Sequence, residues 1–137
     1  MATIKHTVTK SVRTNAGTVG GTAYVITGDA EANIFLEDHA IGTNTAQDFA
    51  ADQSTIVSLA MEWSPASGSS TCVIKTNSSG SPDDTITLQA DKPLYWDTRI
   101  LATEGTACPI TADVTGGLFL TTTAIGDLTI TCLFSGS

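Results

Sequence analysis

The stretch Cys72-Val-Ile-Lys-Thr-Asn-Ser-Ser-Gly-Ser-Pro-Asp-Asp-Thr-Ile-Thr-Leu88 reads as strand, polar turn, strand. Period-two alternation puts Cys72 and Ile74 on one face and Lys75 on the other. After the turn Ile86 and Leu88 face inward, while Thr85, Thr87 and Gln89 face outward. The connection Asn77–Asp84 is too long for a two-residue turn, which predicts a mobile tip. The same grammar recurs from Thr3 to Phe134: short apolar/Thr alternations, broken about every ten residues by Gly, Ser, Asn or Asp. It predicts an all-β, antiparallel two-sheet sandwich of eight to nine strands with jelly-roll-like connections. An immunoglobulin-like sandwich is the alternative. With 137 residues the chain has the size of one domain. Residues 1–13 then form either an extended N-terminal arm or an edge strand.

Outward from that hairpin, Gln53–Trp63 is the cleanest strand, with Val57, Leu59, Met61 and Trp63 on one face and Ile56, Ser58, Ala60 and Glu62 on the other. Thr3–Val12 alternates as well, and Asn15-Ala-Gly and Gly20-Gly21 break it. Thr22–Thr27 and Asn33–Glu37 are short β segments. Asp38–Asp52 lacks period-two order and reads as loop, with one helical turn near Ala46–Ala51. Pro93–Arg99 carries Leu94 and Trp96 on one face, Tyr95 and Asp97 on the other. Ala102–Pro109 reads as loop. Leu118–Thr122 and Asp127–Phe134 are expected to close as a pair through Ala124-Ile-Gly126, and Leu128, Ile130, Cys132 and Phe134 share a face.

Threonine supplies 24 residues, about one in six, and covers outward strand faces without charge. The net charge of −8 is unevenly spread. Residues 1–28 hold Lys5, Lys10 and Arg13 and no acid, whereas the remainder sets Lys75, Lys92 and Arg99 against all 14 carboxylates, a balance of −11. Such a body is repelled by phosphate backbones, so nucleic acid is not the expected partner. No run approaches the roughly 18 apolar residues of a membrane span. Met1–His6 is polar and no apolar segment of the secretory kind follows, which predicts a chain kept in a reducing cytoplasm with thiols free. Three cysteines, Cys72, Cys108 and Cys132, cannot all pair within one chain. The sequon at Asn77-Ser-Ser is expected to be unused in that setting.

Catalytic and metal-binding constellations are thin. Glu37 and His39 lie at i, i+2 on one face of an extended segment, but a metal site needs three or four converging ligands and His6 is distant in sequence. Asp29-Ala-Glu31 and Asp83-Asp84 sit in turns, where Asp bonds its own backbone, and lack calcium-loop spacing. Cys72 and Cys132 read as small core residues; Cys108, in a loop before Pro109, is the one expected to be exposed. No nucleophile elbow or phosphate loop occurs, and Gly20-Gly21 and Gly116-Gly117 read as turns before strands. The expectation is a protein without enzymatic activity, cofactor or metal. Trp63, Tyr95 and Trp96 would suit a sugar platform if exposed together; alternation assigns both tryptophans to the core and Tyr95 outward beside Asp97.

Lys75-Thr-Asn-Ser-Ser-Gly-Ser-Pro-Asp-Asp-Thr-Ile-Thr-Leu-Gln-Ala, followed by Lys92-Pro-Leu-Tyr-Trp, resembles small structural proteins of tailed-phage virions, of the head-decoration or cement kind. The likeness is one of style over residues 70–134. It implies a bacteriophage protein made in the host cytoplasm that binds the outside of an assembled capsid. Its partner would be the major capsid protein or another shell protein, and a homo-oligomer is implied, a trimer above all. The alternative is a β-sandwich carbohydrate-binding module or a tail or fibre adhesion module. In the first picture the N-terminal strand adds to a neighbouring sheet by β-augmentation. Ile4, Val8 and Val12 then anchor it, and Lys5, Lys10 and Arg13 complement acidic shell residues. The competing expectation is that Thr3–Val12 pairs within its own sheet.

Overall fold

A computed structural model describes residues 4–14, 17–39, 46–90, 92–99 and 107–135; of side chains between residues 4 and 25, and that of His39, nothing is described. Nine strands form among them: β1 (Ile4–Thr14), β2 (Gly17–Gly28), β3 (Ala30–His39), β4 (Ile56–Pro65), β5 (Thr71–Thr76), β6 (Thr85–Gln89), β7 (Leu94–Asp97), β8 (Leu118–Thr122) and β9 (Gly126–Phe134). β1 and β2 pair as a two-stranded ribbon; the others form a four-stranded sheet, β3-β9-β4-β7, and a three-stranded sheet, β6-β5-β8. Every pairing is antiparallel. Outside β8, Gln47 bridges Leu118, so the 46–51 segment holds the place of a fourth strand beside the second sheet. Read with that segment, β3 to β9 follow the strand order of a jelly roll, two interlocked Greek keys closing a sandwich. The architecture expected from the alternation is thus the one formed.

Alternation makes the core. Leu59, Met61 and Trp63 of β4 and Leu128, Ile130 and Cys132 of β9 turn inward, opposite Cys72 and Ile74 of β5, Ile86 and Leu88 of β6, and Leu118 and Leu120 of β8. Phe49, Ala51, Ile110 and Val114, contributed by loops, join the same buried cluster. Each aliphatic side chain buried this way stabilises the fold by about 1.5–3 kcal/mol.

Four local expectations are corrected. β8 and β9 do not pair with each other; β8 lies on β5, and β9 lies between β3 and β4. The connection between them is held on two sides, since Thr123 N–H donates to Thr71 O (3.1 Å) and Ile125 O accepts from Ala66 N–H (2.9 Å). It is an arch from one layer to the other, which lets the apolar rows of both strands meet across the core. Ala46–Ala51 is not helical: Gln47 and Ala51 bridge Leu118 and Val114, and the only helical turn among the described residues is the 3-10 turn Gln53–Thr55, capped by Asp52. β4 therefore starts at Ile56, and a register shift between Ile56 and Ser58 breaks the alternation there, so Ile56 is buried in the core beside the row it was expected to oppose. Gly20-Gly21 lies inside β2, where Ser11 opposes Gly21 and Val12 opposes Val19; the unopposed Gly20 is a bulge rather than a turn. The loop expected over Ala102–Pro109 lies mostly outside the described residues.

Candidate interaction surface

The ribbon is the part of the chain least accounted for by the sandwich. Its register runs from Ile4 opposite Gly28 to Thr14 opposite Gly17, and neither strand has another hydrogen-bonded neighbour among the described residues. Eleven residues at about 3.4 Å each make it about 35 Å long. Ile4–Val12 thus pairs with β2 of its own chain, in a sheet separate from both layers of the sandwich; residues 1–3 of the expected arm lie outside the described residues. Of the residues assigned to the arm, Ile4 pairs with Gly28, Lys5 with Thr27, Val8 with Tyr24, Lys10 with Thr22, Val12 with Val19 and Arg13 with Thr18.

The ribbon is seated at its base. Ile26 is buried, and Asp29 N–H donates to Phe134 O at 2.8 Å. Gly28 approaches β9 so closely that a Cβ there would strike Phe134 O and lie 2.7 Å from the Leu133 side chain. Only a residue without a side chain lets the chain pass at this height.

The outer face of the four-stranded sheet divides in two. In the row nearest the ribbon base, Leu133, Ser58 and Asp97 point away from the core yet are fully buried. Asp97 accepts hydrogen bonds from Tyr95 Oη (2.6 Å) and Arg99 N–H (2.7 Å). The remaining rows are open: Asn33, Thr131, Ala60 and Tyr95 in one, Phe35, Thr129 and Glu62 in the next. Phe35 is 65 % exposed, a large apolar ring on a polar face. Together β3, β9, β4 and β7 carry Glu31, Glu37, Asp38, Glu62, Asp97 and Asp127 and not one Lys or Arg.

At one end of the sandwich the loops 77–84 and 111–117 are tied together, so the tip expected to be mobile is held. Asn77, in the left-handed region at φ 65°, is the knot. Its Oδ1 accepts from Thr115 N–H and Gly116 N–H, each at 2.8 Å, and its Nδ2 donates to Asp113 O (2.8 Å) and Asp83 Oδ2 (2.5 Å). Asp84 accepts from Thr111 N–H (2.9 Å) and Thr111 Oγ1 (2.5 Å). These carboxylates are occupied in joining loops. Gly117, at φ 83°, completes the junction, because a Cβ there would lie 2.5 Å from Gln47 O.

The other residues singled out by sequence do not converge. Glu37 is exposed near the end of β3, and among the described residues no group of three His, Cys, Asp or Glu side chains gathers as a metal cage. Cys72 and Cys132 are core residues whose burial pushes their thiols up to about 12. Cys108 is half-buried against the core rather than exposed, and its thiol is also raised by burial. A raised thiol is a poor nucleophile at neutral pH. Trp63 is buried with Nε1–H donating to Ser70 Oγ (2.9 Å), Trp96 is half-buried beside the core, and Tyr95 keeps an exposed edge.

Sequence reasoning missed Phe35 and Asn77. Phe35 had a signal: it alternates out of phase with Ile34 and Leu36, which face inward. Asn77 had half of one, since Asn is the residue besides Gly that most readily takes a positive φ, but the loop it grips lies 36 or more residues away. The chain matches no known protein family, no characterised protein and no solved structure.

Proposed function

We propose that this is a non-enzymatic virion structural protein that binds the outside of an assembled capsid, in a decoration or cement role, with a capsid shell protein as its partner. The observation that carries the reading is the ribbon: a basic, two-stranded element outside both sheets of an acidic jelly roll, fastened at its base by Ile26, Gly28 and Asp29. A two-stranded hairpin is marginal alone in water and gains stability from a third strand or a covering surface. Lys5, Lys10 and Arg13 favour an acidic one. Double-layered jelly rolls are also a common building block of capsids, which is support by analogy of fold only. The test is to mix the purified chain with undecorated capsids and image them. Added density at regular lattice positions is expected; a bare lattice at saturating protein would refute the reading.

A second reading, a carbohydrate-binding or adhesion module, draws on Phe35 and Tyr95, which both lie exposed on the open sheet face. Three strand spacings separate them, about 14 Å, so they would bracket an oligosaccharide rather than stack on one ring. Glycan-array binding lost on Phe35→Ala or Tyr95→Ala would favour this reading over the first.

A further inference from the structure

We infer that the open outer face of the four-stranded sheet receives the β1–β2 ribbon of a second copy of this chain. The inference rests on the reading of the ribbon as a docking element and names the surface it docks on.

Charge separates donor from acceptor within one sequence. All three cations of residues 1–28 lie on β1, and the 23 residues of the ribbon include no acid. The four strands of the receiving sheet hold six carboxylates and no cation, and Glu37 and Glu62 are exposed among them. Two copies in parallel register would repel sheet to sheet, whereas ribbon on sheet brings opposite charges together.

The face is shaped for an extended segment. Its open rows place Ala60, Thr129 and Thr131 in a shallow trough flanked by Glu62 and by Tyr95 of the edge strand β7, and Phe35 stands next to Thr129 on the edge strand β3. The trough admits a flat backbone, and Phe35 supplies the apolar contact that an exposed ring on a polar face otherwise lacks. The row closest to Leu133 is already buried around the molecule's own ribbon base, so an incoming ribbon takes the rows beyond it. Donor and acceptor are different surfaces, making the contact heterologous. Such contacts close into a ring when the rotation permits and otherwise run on from copy to copy.

The experiment is sedimentation velocity on the full chain across a wide concentration range, at low and high salt, with two charge reversals: Lys10→Glu on the ribbon and Glu62→Lys on the sheet. Wild type is expected to associate reversibly, more weakly as salt screens the contact. Each variant, shown folded by its circular dichroism spectrum, is expected to lose about tenfold or more in association. Mixing the two restores it, because the reversed ribbon meets the reversed sheet and the native ribbon meets the native sheet. A wild type that stays monomeric throughout, variants that associate like wild type, or a mixture that stays dissociated would each overturn the inference. Capsid co-sedimentation of the same proteins separates the two readings. A monomer that still binds capsids overturns this inference and leaves the decoration role standing; an oligomer that ignores capsids does the reverse.

Discussion

Replacing Asn77 should loosen one whole end of the sandwich, and the size of the effect follows from its bonds. The side chain makes four hydrogen bonds, three of them to backbone groups of residues 113, 115 and 116 across the loop junction. A net contribution of about 1 kcal/mol for each of those three, reduced where water can replace the partner, gives about 2–3 kcal/mol. An alanine at φ 65° costs about 1 kcal/mol more, since only Gly, Asn and Asp enter that region readily. Asn77→Ala is therefore expected to lose about 3–4 kcal/mol and Asn77→Gly about 1 kcal/mol less. Asn77→Asp keeps the two accepting bonds but turns a carboxylate oxygen toward Asp113 O and the Asp83 carboxylate, replacing two attractions by repulsions. Its loss should shrink in acid, as the new carboxyl takes a proton and can donate again. Urea unfolding followed by the fluorescence of Trp63 and Trp96 reads all three variants. If Asn77→Ala lies within 1 kcal/mol of wild type, or unfolds no more easily than Asn77→Gly, the knot does not hold the loops as described.

Two further outcomes follow from buried groups. The Thr122 hydroxyl is fully buried and has no hydrogen-bond partner among the described residues; Thr122→Val, of the same shape, should raise stability by about 1 kcal/mol in the same urea assay. Burial raises the thiols of Cys72 and Cys132 from an ordinary 9.0 to about 12 in the folded state. The unfolded chain thus releases these protons first. Their contribution is whole below pH 9 and is lost between pH 9 and about 12, at up to about 1.4 kcal/mol per pH unit for each thiol. A Cys72→Val, Cys132→Val variant should show a visibly flatter decline over that range; an equal slope would contradict the burial of these thiols.

The sandwich was legible because alternation is a local property. Leu59-Ala-Met61-Glu-Trp63 and Leu128-Thr-Ile130-Thr-Cys132 declare which face is buried whatever strands lie beside them. Partner choice is not local. The short link from Thr122 to Gly126 looks the same whether it closes a hairpin or arches between layers, and only the packing of both apolar rows decides. Ala46–Ala51 suggests a helix by composition, yet the free edge of β8 at Leu118 draws it into extended bridges. A polar loop gave no hint of being held, because the groups Asn77 grips arrive from far along the chain. At the candidate interaction surface the charge asymmetry was visible in full. That its cations ride on a separate ribbon, and that the four-stranded sheet lacks cations altogether, required knowing which strands pair.

Hydrogen–deuterium exchange of the full chain, dilute and then assembled on capsids or on itself, tests most directly that the ribbon is the assembly element. In dilute solution the backbone amides of residues 5–24 should exchange far faster than those of β9, which is paired on both sides. On assembly, the largest gain in protection should fall on those same ribbon amides. A ribbon as protected as β9 in the dilute protein, or a gain centred on the Asn77–Asp84 loop with the ribbon unchanged, would contradict it.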